Sequence, residues 1–130
     1  MAKIDKLTYV DQAENVIKSL QVKDRNGRYV MRLTTSKIRN ILSLVTEIYN
    51  QVIHEKRGEL SDEICEEIQY LRLRIVYEAG RDRDVMNFMN RANLLQNIQN
   101  IGKNREQLLL FCRYMEALVA YHRFYGGKDA

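Results

Sequence analysis

The sequence reads as all-α, a compact bundle of about five helices forming one domain over residues 1–130. Three observations carry that reading. The 130 residues include no proline and only six glycines, which removes the turn punctuation that a many-stranded fold needs. Apolar residues recur at three- and four-residue spacing over most of the chain, the period of an amphipathic helix. Capping residues stand where those patterns start and stop.

Taken in order, Val10, Ala13, Ile17 and Leu20 place a first helix over Asp5 to Leu20. Gln21 to Leu33 holds the turn pair Asn26-Gly27 among Lys23, Arg25, Arg28 and Arg32. This stretch reads as a mobile basic loop, with a short hairpin as the alternative. Thr34, Thr35 and Ser36 are successive N-cap candidates ahead of the stripe Ile38, Ile41, Leu42, Val45, Ile48, Tyr49 and Val52. That second helix is predicted to end near Lys56-Arg57-Gly58, where cations complement the dipole and glycine takes a left-handed cap. A third helix starts at Ser61-Asp62-Glu63 and runs to Gly80. Asp82 or Asp84 opens a fourth, with Val85, Phe88, Met89, Ala92 and Leu95, that stops at Gly102. Asn104 and Gln107 have capping-box spacing and open a fifth, which continues to Tyr125 before Gly126-Gly127.

Two of these helices carry more apolar surface than one small core requires. On the fifth, Leu108, Phe111, Cys112, Met115, Leu118, Val119 and His122 lie on one side and Leu110, Tyr114, Ala117, Tyr121 and Phe124 on the other. Either that helix is central, or its second face meets a partner. On the third, Ile64, Ile68, Leu71 and Ile75 oppose Tyr70, Leu73 and Tyr77. Tyr70, Leu73, Tyr77, Tyr114 and Tyr121 are therefore the candidate protein-interface residues.

Composition narrows the function. With 45% hydrophobic and 29% charged residues, the chain is neither a disordered tail nor a membrane protein. No apolar segment follows the charged start Met1-Ala2-Lys3-Ile4-Asp5-Lys6, so the expected location is the cytoplasm. Cys65 and Cys112 have no metal-ligand spacing and read as reduced core thiols. A net charge of +4 and a pI near 9.1 permit a nucleic-acid partner without requiring one.

No catalytic constellation emerges, and no metal or other cofactor is expected. His54 and His122 are the only histidines and sit on different helices; His122 falls on an apolar face, as a core imidazole does. Asp82 and Asp84 resemble a metal-binding acid pair for phosphodiester cleavage, but flanked by Arg81 and Arg83 they read as a helix cap. More informative is Thr34-Thr35-Ser36-Lys37-Ile38-Arg39, because cations at a helix N-terminus oppose its dipole by roughly 0.3–1 kcal/mol each. A phosphate held by backbone N–H groups, hydroxyls, Lys37 and Arg39 would offset that cost; plain capping with solvated cations is the alternative. Arginines also interleave with tyrosines, in Arg72, Arg74, Tyr77, Arg81 and Arg83 and again in Arg113, Tyr114, Tyr121, Arg123 and Tyr125. That pattern suits RNA, since arginine grips phosphate and aromatic faces stack on bases. Arg72 projects near the apolar side of its helix and reads as an internal ion-pair or snorkelling residue rather than an RNA contact.

Several segments resemble a known family. Leu33-Thr34-Thr35-Ser36-Lys37-Ile38-Arg39-Asn40-Ile41-Leu42, Tyr77-Glu78-Ala79-Gly80-Arg81, and above all the run from Phe111 to Tyr121 with Phe124-Tyr125-Gly126-Gly127 are similar to the small helical subunit of the type III-A CRISPR-Cas Csm effector complex. The resemblance implies a non-enzymatic, RNA-binding subunit that assembles in several copies along the guide CRISPR RNA and stabilises its duplex with target RNA. It implies as partners the backbone subunits, the large signature subunit and further copies of this chain. By motif, Arg39 stands where the family has a basic residue facing RNA, and Arg81 closes the Tyr-x-Ala-Gly-Arg segment. The expected RNA-binding residues are Lys37, Arg39, Arg74, Arg81, Lys56 and Arg57. Two other readings stay open: a helical adapter that touches only protein, and a small nuclease using Asp82 and Asp84.

Overall fold

The computed structural model describes residues 3–130, so Met1 and Ala2 of the charged N-terminal segment lie outside it. In chain order the described elements are α1 (Tyr9–Leu20), β1 (Gln21–Lys23), β2 (Tyr29–Met31), α2 (Thr35–Val52), α3 (Asp62–Arg81), α4 (Arg83–Arg91), α5 (Leu94–Ile101) and α6 (Arg105–Phe124). The mostly helical reading holds, with four differences of local physics.

First, α1 starts at Tyr9 and not at Asp5. Asp5 instead closes a turn, its Oδ1 accepting the N–H groups of Leu7 (2.8 Å) and Thr8 (3.0 Å). Second, the basic stretch forms a two-stranded antiparallel hairpin with Gln21 opposite Met31 and Lys23 opposite Tyr29. The Asp24 carboxylate holds its turn by accepting from the N–H groups of Asn26 and Arg28, and Gly27 supplies the positive φ of 79°. The alternative reading of that segment is thus the structure seen.

Third, the single helix expected between Asp82 and Gly102 is two, broken at Asn93 in the left-handed region with φ 54°. The reason lies in the apolar phase. At about 100° per residue, Leu94, Ile98 and Ile101 would point roughly half a turn away from Val85, Phe88 and Ala92 on one continuous helix. Resetting the backbone at Asn93 lets all six bury against the same core. Asn97, itself buried, donates its Nδ2–H to the carbonyls of Ala92 (3.4 Å) and Asn93 (2.9 Å) at the break, and its backbone N–H bonds the Asn93 carbonyl as the first turn of α5.

The second helix also stops early, at Val52. The Arg105 guanidinium takes the Val52 carbonyl (3.3 Å), and Gly58 gives its carbonyl to the N–H of Arg105 instead of forming a left-handed cap. Ser61 caps α3 through the N–H of Ile64, and Asn104 caps α6 through that of Gln107, as their spacing predicts.

Helix α6 is central, packed by α1, α2 and α5. Both of its apolar stripes are used: Leu108, Phe111, Met115 and Leu118 are buried on one side and Leu110 and Tyr114 on the other. Tyr114 is wholly enclosed and donates its hydroxyl to the Ala92 carbonyl at 2.9 Å. Burial pushes that phenol up to about 12. Tyr114 is therefore a core residue and offers no surface to a partner, which corrects the interface reading at that position. The Cys112 thiol is likewise buried, and its pKa is raised to about 12.

Candidate nucleic-acid interface

One end of the bundle gathers the segments singled out above. Helices α2 and α3 run antiparallel, so the start of α2 meets the end of α3 and the α3–α4 junction. The end of α6 arrives at the same place. His122 donates from Nε2 to the Leu33 carbonyl at 2.7 Å, which fixes its tautomer, and it is buried as a core imidazole. Gly127 then packs directly on the His122 ring, where a Cβ would stand 2.2 Å from Cε1. The chain beyond it crosses the start of α2, with the Lys128 carbonyl accepting from the N–H of Thr35 (3.0 Å) and the Asp129 carbonyl from that of Ser36 (2.8 Å).

That crossing changes the phosphate-cradle expectation. Two of the amides meant for an anion are satisfied by the chain itself, and Thr34 makes no side-chain cap. Lys37 is engaged as well: its ammonium lies 3.1 Å from Asp82 and 2.8 Å from Asp84. Those hydrogen bonds, Asp84 first, raise the lysine above its ordinary value. Burial works to raise Asp82, but Lys37 and the N–H groups of Val85 and Asp84 outweigh it and hold the carboxyl below its ordinary value. So the dipole cost of a cation at the start of α2 is offset by two acids 45 and 47 residues away, a pairing with no local sequence signal. Asp82 also caps α4, its Oδ1 accepting from Asp84 (2.8 Å) and Val85 (3.2 Å).

Arg39 stands apart: it is exposed on α2 and makes no ion pair among the described residues. On the same turn of α2, Ser36, Lys37 and Asn40 share a shallow polar concavity with Glu78, Arg81 and Asp82. On α3 the guanidinium carbons of Arg74 and Arg81 lie 5.1 and 5.7 Å from the centroid of the Tyr77 ring, an arginine–tyrosine–arginine stack. Arg74 is anchored from below by Glu78 at 2.7 Å. The internal ion pair expected of Arg72 thus belongs to Arg74, while Arg72 is exposed. Lys56 and Arg57 are exposed in the α2–α3 connection, at the far end of α2. An 18-residue helix is about 27 Å long, so they do not join this group.

The charge is polarised accordingly. Residues 18–39, 74–84 and 121–130, which converge here, hold twelve of the 21 basic residues against five of the 17 acids. The remainder of the chain carries a net negative charge. Beside this end, the outer face of α3 exposes Tyr70, Leu73 and Tyr77 at 51, 60 and 54%. Tyr121 is half-buried in an aromatic group with Phe124 and Tyr125.

Residues 9–128 match the model of the family described as Csm2 Type III-A. The chain belongs to the type III-A Csm2 family. A protein of Streptococcus thermophilus named CRISPR system Cms protein Csm2 is 46% identical over 129 residues, covering 99% of this chain and all of the relative. Proteins of the same name from Mycobacterium tuberculosis and Enterococcus italicus are 42 and 36% identical; they cover 93 and 84% of this chain, and 94 and 82% of their own lengths. Family membership makes the chain a structural subunit of a type III-A CRISPR Csm complex, as the motifs around Arg39, Arg81 and Tyr114 imply. No described helix is long and apolar enough to cross a membrane.

Proposed function

We propose that this subunit is a non-catalytic, cytoplasmic RNA-binding component of the complex that assembles in several copies along the guide CRISPR RNA and steadies its duplex with target RNA. The observation that carries the reading is the polarised charge, with Arg39 exposed on the same turn of α2 as Ser36, Lys37 and Asn40, which share a shallow polar concavity with Arg81. Contacts of this kind read the phosphate backbone and leave sequence to base pairing, so one subunit serves any guide. Arg39 and Arg81 are the principal contacts and Arg74 the next, with its guanidinium already oriented by Glu78 and Tyr77. Lys37 is a lesser contact because Asp82 and Asp84 neutralise it. Lys56 and Arg57 face a different neighbour, whether RNA or protein. Asp82 and Asp84 act as a cap and a lysine clamp, which gives them structural work in place of metal binding.

The exposed stripe Tyr70, Leu73 and Tyr77 is the surface through which the subunit meets a backbone subunit, the large subunit or the next copy of itself. That same stripe is what favours the second reading, a helical adapter that contacts protein alone. RNA titrations separate the two. With two to three phosphates neutralised per subunit, the logarithmic salt slope on single-stranded RNA is expected near −1.4 to −2, from about −0.7 per phosphate. An adapter without RNA contact gives no salt-dependent binding.

A further inference from the structure

We infer that Phe124, at the end of α6, is a stacking site for an unpaired RNA base. The ring is 75% exposed although it sits among other aromatics. A lone exposed phenylalanine would need no explanation, but this one is positioned. Its centroid lies 6.3 Å from Tyr121 at 90° and 5.1 Å from Tyr125 at 84°, while the two tyrosines stack on each other at 6.2 Å and 24°. Two near-parallel rings thus fix the plane of Phe124 and leave it largely uncovered. The tyrosines are fixed in turn. Tyr125 donates its hydroxyl to Glu14 at 2.6 Å, and the Lys18 ammonium lies 5.9 Å from the Tyr125 centroid.

The surroundings suit a nucleotide better than an apolar partner. Arg123 and Lys128 flank the ring in sequence, and Arg123 keeps 61% of its side chain exposed while paired with Asp129. The chain after Phe124 is bonded to the start of α2, so the ring shares the positively charged end with Arg39. An exposed aromatic face with Arg123 next to it in the chain and Lys18 over the adjoining Tyr125, on the end of the bundle that carries Arg39, is the arrangement that captures splayed bases. It tolerates any sequence, because every base has a π-face. The occupant is therefore a single unpaired nucleotide of the RNA whose backbone Arg39 and Arg81 hold, and the inference rests on that RNA reading.

The test uses the full chain and a fluorescently labelled single-stranded RNA of mixed sequence titrated at several salt concentrations. Phe124→Leu keeps an apolar side chain but removes the π-face, and should weaken binding about five- to thirtyfold at every salt concentration. The salt slope should stay unchanged, since no phosphate contact is lost. The chain has no tryptophan, so Phe124→Trp places a unique reporter at the site; it should bind as tightly as the parent and lose indole fluorescence on saturation with RNA. Phe124→Leu binding as tightly as the parent, or an unquenched indole at saturation, overturns the inference while leaving the phosphate reading in place. Unaltered RNA binding by Phe124→Leu together with failed complex assembly also overturns it, since the ring would then be a protein contact. Absence of salt-dependent binding by the parent chain overturns both.

Discussion

Replacing Asp82 by asparagine separates the two jobs the structure gives that carboxylate. Its Oδ1 caps α4 through two N–H groups, and the carboxylate draws Lys37 to 3.1 Å. Asparagine is as good an N-cap as aspartate, so Asp82→Asn keeps the cap and loses only the charge. The Lys37 and Asp82 side chains are 35 and 28% exposed, and Asp84 still holds the lysine at 2.8 Å. Solvent screening therefore limits the loss to about 0.5–1 kcal/mol. For a chain of this length about 1 kcal/mol corresponds to roughly 4 °C in Tm, so the expected drop is about 2–4 °C. Asp82→Ala removes the cap too and should cost about 1 kcal/mol more. The pH dependence fixes the cause. Asp82 is held below its ordinary value of 3.8 in the folded chain. The unfolded chain therefore binds the extra proton first, and the stabilisation is complete above about pH 4 and lost as the pH falls through the folded value. Lys37 is raised above 10.5, so its share is complete below that pH and fades as the pH rises through its folded value. Thermal melts of parent, Asp82→Asn and Asp82→Ala at pH 7 and pH 3 decide the matter. Equal melting of the two variants at pH 7, or a parent-to-asparagine gap that persists undiminished at pH 3, would refute the reasoning.

Tyr114→Phe removes one buried hydroxyl and should lower Tm by about 4 °C, from a net hydrogen bond worth about 1 kcal/mol. Complex assembly should be unaffected, as pull-down of the other subunits would show. Leu73→Asp should behave in the opposite way, melting like the parent because the side chain is 60% exposed, but failing to enter the complex in the same pull-down. Melting changes at Leu73 or assembly defects at Tyr114 would exchange their assigned roles.

Much of this architecture was legible because helix caps and apolar spacing are local. Ser61, Asp82 and Asn104 each cap the helix their spacing assigns them. The break at Asn93 is also written in the sequence, as the half-turn jump of the apolar stripe between Ala92 and Leu94, which one continuous helical period does not span. Helix α3 showed its two faces correctly, one buried and one exposed. For α6 the sequence left two outcomes open, because whether a second stripe is filled by α1 or by another molecule depends on packing and not on spacing. The Lys37 clamp and the crossing of residues 128–129 over α2 were invisible for the same reason: they join segments far apart in the chain. What remained readable of the candidate site was Arg39 and Arg81, whose surroundings leave them facing solvent.

The most direct test of the central claim is the salt slope of single-stranded RNA binding by Arg39→Ala, measured beside its thermal melt. The account predicts an unchanged Tm, since Arg39 is exposed and unpaired among the described residues, and a slope shallower by about 0.7, one phosphate contact fewer. A parent slope near zero, or an Arg39→Ala slope and affinity equal to the parent's with Arg81→Ala equally silent, would contradict it and return the basic end of the bundle to a protein-binding role.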